Sequence, residues 1–162
     1  MNETTQGFRD EYFFLSNFYV HPVTIHYQGQ DFTLATGEHV FQGMKIAACS
    51  LPLEERLKKM EELAANSDPV KAKYWGRSLP IDIAKWDAMA KKSMKRSLEL
   101  KFKDEKLRSK LVATKDLQLV EYNDWNDTLW GKDKKTRKGQ NLLGDMLMEL
   151  RSFLASPWNE LK

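Results

Sequence analysis

At Thr36 the apolar pattern of this chain changes period, and that switch limits the folds open to it. Before it, Val23-Thr24-Ile25-His26-Tyr27 and Asp31-Phe32-Thr33-Leu34 each alternate, with Gln28-Gly29-Gln30 between them. Two short runs of period two around a glycine turn predict a β-hairpin. After it, Val40, Phe41, Met44, Ala47 and Ala48 recur at helical spacing, and Thr36 is the predicted N-cap. Further helices are predicted over 53–65, from the cap pair Asp68-Pro69, over 83–103 and over 105–113. A last one carries the stripe Leu142, Leu143, Met146, Leu147, Leu150 and Phe153. Residues 117–122 alternate and predict a strand, and the stretch KDKKTRKGQ that follows reads as a loop. The expected fold is α+β, mainly α: a single helical domain over residues 1–162 with a small N-terminal antiparallel hairpin.

Several function classes are excluded or disfavoured early. The single cysteine, Cys49, allows no internal disulfide and suits a reducing compartment. The opening MNETTQGFRDEY is polar and acidic, unlike a secretory leader, and no apolar run approaches the ~20 residues of a membrane span. A cytoplasmic protein without a membrane partner is expected. His21, His26 and His39 lack zinc-ligand spacing, and neither a Walker loop, a GxGxxG turn nor a GxSxG elbow is present. No metal, no cofactor and no obligate protein partner are therefore expected. The net charge is only +3, but cations concentrate over 85–103 and in the KDKKTRK run over 132–138. Such segments are either solvated faces or a seat for an anion.

Two constellations could carry chemistry. Glu38, Gln42 and Lys45 stand at i, i+4 and i+7, and at about 100° per residue they share one stripe of their helix. Glu38 falls in the first turn, where the helix dipole favours an ionised carboxylate. The stripe is either solvent-facing or the edge of a site. The second constellation, Asn123-Asp124-Trp125-Asn126-Asp127-Thr128-Leu129-Trp130-Gly131, is too polar for a core strand. Its indoles could stack on a heterocycle, or one could simply anchor a surface loop. Trp86 opens the long helix with Met89, Ala90 and Ser93 behind it, which is also the pattern of a core stripe. Arg77, after Gly76, could hold a phosphate or answer the C-terminal dipole of its helix.

Taken together these pieces resemble the NADAR family. The matching segments are Leu15-Ser16-Asn17-Phe18, Thr36-x-Glu38-His39-x-Phe41-Gln42-x-x-Lys45, Gly76-Arg77, Trp86, Asn126-Asp127-x-x-Trp130-Gly131 and Gly139-x-Asn141-x-Leu143-Gly144, in family order. The resemblance implies one mostly helical domain that hydrolyses the bond between a ribose anomeric carbon and a nitrogen. It implies phosphoribosyl-type riboflavin precursors as substrates in some members, and ADP-ribose on guanine bases in others. It makes Glu38 the essential glutamate and Trp86 and Trp130 the two functional tryptophans. The family's aspartate follows the Trp-Gly pair directly. Here Lys132 intervenes before Asp133, and the loop to Asn141 is one residue longer. Asp133 takes the acid's role if the insertion precedes it, and Asp127 is the alternative.

The expectation is thus an N-glycosidase with Glu38, Asp133, Trp130 and Trp86 as catalytic residues. Ser16, Asn17, His39, Gln42, Lys45, Arg77, Asn126, Asp127 and Asn141 are the expected substrate-binding residues. Glu38 would bind the ribose and activate water or stabilise the oxocarbenium-like centre, with a second carboxyl group nearby. The tryptophans would sandwich the base, and the cations would hold phosphate. The alternatives are a hydrolase that removes ADP-ribose from guanine in nucleic acid and a non-catalytic module that binds NAD or ADP-ribose.

Overall fold

The computed structural model describes residues 3–162, which divide into two compact units. One unit is Asn17–Ser97. The other combines the described residues up to Ser16 with Leu98–Lys162.

The Asn17–Ser97 unit begins with the expected hairpin, β1 (Val20–Tyr27) and β2 (Gln30–Thr36), paired antiparallel with Val23 opposite Leu34 and Ile25 opposite Phe32. The loop is the two residues Gln28 and Gly29, with φ of 49° and 81°. Positive φ at both central positions gives the turn whose twist matches that of the strands. Phe32, Leu34 and Thr36 alternate inward along β2, and Leu34 is wholly buried. Burial of such a side chain stabilises by roughly 1.5–3 kcal/mol.

Helix α1 (Gly37–Gly43) follows without a linker. The Thr36 hydroxyl caps it, accepting from the His39 N–H at 3.2 Å. The single helix expected through Ala48 is interrupted: from Met44 to Ala48 the backbone tightens into a 3-10 turn. Next come α2 (Leu53–Ala64) and α3 (Pro69–Ser78). Asp68 caps α3 through the Val70 N–H, with Pro69 at the first helical position as predicted. α1 packs on α3, and α2 packs on β2. Helix α4 (Ile83–Lys101) stops two residues short of the expected end, and its residues to Ser97 belong to this unit.

In the other unit, α5 (Glu105–Val112), capped by Asp104, packs on α6 (Leu142–Leu154). The strand expected over 117–122 shrinks to β3 (Tyr122–Asn123), which pairs in parallel with β4 (Lys132–Asp133). Upstream, the same segment makes an isolated parallel bridge between Gln118 and Thr4, and further satisfies its backbone through the Thr5 hydroxyl and the Asn141 side chain. The α6 stripe is also rotated from the expected one. Leu143, Leu147, Leu150 and Leu154 are buried, while Phe153 is 43% exposed. Among the described residues no helix is long and apolar enough to cross a membrane.

Candidate functional site

Glu38 stands in the first turn of α1, and both it and Gln42 are buried, at 6% and 7% exposure. The solvent-facing reading of the stripe is therefore ruled out for these two. One helical turn separates them, and the Gln42 Nε2 donates to Glu38 Oε1 at 2.8 Å. The other amide atom of Gln42, Oε1, is buried with no hydrogen-bond partner.

Gly76 explains how α3 comes close enough to complete the cluster. A Cβ at that position would overlap Gln42 Oε1 and stand 3.3 Å from Lys45 Nζ. Lys45 is half-buried, and its Nζ lies 5.6 Å from the centre of the Trp86 ring, within cation–π range. Burial pushes the Lys45 ammonium below its ordinary value. The charge of Glu38 opposes that shift, and the charge of Arg77 adds to it. Arg77 itself is exposed in the last turn of α3, 5.6 Å over the Tyr74 ring. Lys45 and Arg77 thus bring positive charge to the neighbourhood of the buried Glu38 carboxylate.

Trp86 serves this cluster differently from expectation. Its exposure is 8%, and it sits 5.4 Å from Phe41 with the rings tilted by 53°. It walls the cluster and underlies Lys45. His39 also departs from a substrate-facing place. It is wholly buried, and its Nδ1 is 2.7 Å from Thr36 Oγ1. Burial pushes its imidazole down, opposed by the Asn66 backbone and Asp68. Its Nδ1 is committed to the start of α1. Asn17 contributes its backbone: its carbonyl accepts from the Glu38 N–H at 2.9 Å.

The remaining expected residues lie in the other unit. The Ser16 carbonyl accepts from Lys101 Nζ at 2.9 Å. Asn126 is exposed and adopts a left-handed φ of 64°. Asp127 Oδ1 accepts from the N–H groups of Leu129 and Trp130, closing the turn that carries Trp130, which is part-exposed. Asn141, at φ 55°, uses its whole amide on backbone: Nδ2 donates to the Leu119 carbonyl and Oδ1 accepts from the Glu121 N–H. Asp133 Oδ1 accepts from Lys135 and Thr136, at 2.9 and 2.7 Å. The Thr136 backbone bond is the main cause that holds the Asp133 carboxyl below its usual range. A proton donor at neutral pH needs the opposite shift, and this carboxylate closes its own turn. Among the described residues no His, Cys, Asp or Glu cluster could hold a metal ion.

The chain is similar to proteins already known. N-glycosidase YbiA of Escherichia coli (strain K12) is 36% identical over 148 residues, covering 90% of this chain and 84% of that protein. N-glycosidase YbiA of Shigella boydii serotype 4 (strain Sb227) matches to the same extent. The NMR structure of the E. coli protein YbiA is similar with a TM-score of 0.73 at 35% identity, covering 96% of this chain and 87% of that one. The class these relatives define is the N-glycosidases. The NADAR domain matches residues 4–155, and the chain belongs to that family.

Proposed function

We propose that this protein hydrolyses the ribose C1–N bond of a phosphorylated riboside, with early riboflavin-biosynthesis intermediates as its substrates. The observation that carries the reading is the cluster on α1 and α3: a buried carboxylate, Glu38, oriented by Gln42 and flanked by the cations Lys45 and Arg77. Its family relatives named N-glycosidase supply the reaction class.

Cleavage of the C1–N bond leaves positive charge on C1 and the ring oxygen, and the electron pair departs with nitrogen. Glu38 stabilises that charge and takes a proton from the attacking water. The water oxygen bonds to C1, and the proton that Glu38 took from water passes to the departing nitrogen, which returns Glu38 to its ionised form. Lys45 and Arg77 hold the phosphate, as paired cations suit a phosphate dianion. Gln42 keeps one carboxylate oxygen fixed.

Glu38→Gln is expected to lower turnover of a ribosylaminopyrimidine phosphate by at least ~10²-fold, the usual scale for an acid–base group. Release of free pyrimidine, followed by chromatography, measures it. Normal turnover by folded Glu38→Gln would falsify the assignment. Removal of ADP-ribose from guanine in nucleic acid is the second reading. It is favoured by the exposed cations Lys91, Lys92, Lys95 and Arg96 along α4.

A further inference from the structure

Ser97 has no part in the chemistry above, yet it is 1% exposed on α4. A serine within a helix commonly turns its hydroxyl back on the carbonyl four residues earlier, or toward water. This hydroxyl instead leaves its own helix and donates to the Gly37 carbonyl at 3.1 Å.

The Gly37 carbonyl and the Glu38 N–H are the two polar ends of a single peptide unit. That N–H is one of the donors a helix start cannot satisfy internally, and the Asn17 carbonyl accepts it at 2.9 Å. Both ends of the plane are thus gripped from outside α1. A planar peptide held at both ends cannot swing about its Cα–Cα axis, so the direction of the Glu38 Cα–Cβ bond is fixed. The far end of the Glu38 side chain is fixed separately by Gln42.

Asn17 is in turn tied to α4. Its Nδ2 donates to Met94 Sδ at 3.3 Å, and Met94 precedes Ser97 by three residues on one face of the helix. Gly37 admits this approach because it lacks a side chain: a Cβ there would stand 3.0 Å from Asn17 Oδ1.

We propose that Ser97 is a positioning residue for the reaction: with Asn17 it clamps the Gly37–Glu38 peptide and so aims the Glu38 carboxylate. This rests on the reading of Glu38 as the catalytic carboxylate. Its hydroxyl touches no substrate and acts only through Glu38.

The test compares kcat, KM and Tm for wild type, Ser97→Ala, Ser97→Thr, Glu38→Gln and the double variant Glu38→Gln/Ser97→Ala, with a ribosylaminopyrimidine phosphate as substrate. Ser97→Ala is expected to lower kcat by about tenfold, since small misplacements of a reacting group cost up to 10². KM should stay within about twofold, because ground-state binding is untouched. Ser97→Thr, which keeps the hydroxyl, should restore most of the loss. In the Glu38→Gln background the alanine change should cost nothing further, because two groups acting as one do not add. Wild-type kcat in folded Ser97→Ala would overturn the proposal, and so would a full tenfold loss in the Glu38→Gln background. Should Ser97→Ala fail to fold, Ser97→Cys preserves volume with a weaker donor, and the same cycle decides. Normal turnover by Glu38→Gln would overturn the catalytic reading together with this one, whereas an inert Ser97 beside a dead Glu38→Gln overturns only this one.

Discussion

Lys101, in the last turn of α4, is 1% exposed and donates from Nζ to the Ser16 carbonyl at 2.9 Å. Burial lowers its pKa to about 7 from the ordinary 10.5. In the unfolded chain the amine keeps its proton to a higher pH than in the folded one. Between those two values the unfolded state binds more protons, so stability is expected to rise with pH across that window. The stabilisation is complete above the unfolded pKa and is lost as pH falls through the folded one. The slope this group contributes reaches about 1.4 kcal/mol per pH unit where one full proton separates the states. Urea unfolding at several pH values between the two, for wild type and Lys101→Met, isolates it. Equal slopes in the two proteins would mean that Lys101 is not the group responsible. Neither Lys101 nor Ser97 was legible beforehand, because a helix dense in lysines reads as a solvated face whichever residues turn inward. Glu38, Gln42 and Lys45 were legible as one stripe, since i, i+4, i+7 spacing fixes a common face. The spacing carried no information on whether that face was wet or buried.

Among the elements, boundaries with a local chemical cause followed the sequence closely. Thr36, Asp68 and Asp104 each accept a backbone N–H at a helix start, and the Gln28-Gly29 turn sets the hairpin register. Features decided by distant partners did not follow it. The 117–122 segment alternates like a strand but finds its partners in Glu3, Thr5 and the Asn141 side chain. The meeting of α1 and α3 is another such feature, and it rests on Gly76. A methyl there must displace the Gln42 amide and press on Lys45. Overpacking of this kind costs about 1–3 kcal/mol, and each kcal/mol lowers Tm by about 2–4 °C in a chain of this size. Gly76→Ala is therefore expected to lower Tm and also to reduce kcat, because the displaced Gln42 no longer holds Glu38 Oε1. Calorimetry beside turnover separates the two effects. Unchanged kcat in a destabilised Gly76→Ala would show that Gln42 has no part in orienting the carboxylate.

At the scale of the whole molecule the open choice lies between a small phosphorylated riboside and a modified base carried on nucleic acid, and charge decides it. The net charge is only +3. The exposed cations fall into local groups: Lys91, Lys92, Lys95 and Arg96 on α4, and Lys134, Lys135, Arg137 and Lys138 in the loop after β4. Arg137 is already engaged, its guanidinium 4.0 Å over the Tyr122 ring and donating to Gln6. A small substrate held as proposed, by Lys45 and Arg77, would form few ion contacts on binding. A polymer that used the surface groups would release a counterion for each phosphate neutralised. For six to ten such contacts, affinity falls about 10³–10⁵-fold between 50 and 200 mM salt. The expected result is a KM for the ribosylaminopyrimidine phosphate that rises by less than about tenfold over the same range, as screening of one or two partly buried cations allows. If turnover instead proceeds only on an oligonucleotide carrying ADP-ribosyl-guanine, and its KM climbs steeply with salt, the exposed lysines are part of the site. Neutralising Lys91, Lys92 and Lys95 together should then flatten the salt slope, while for the small substrate the same triple change should leave kcat/KM where it was.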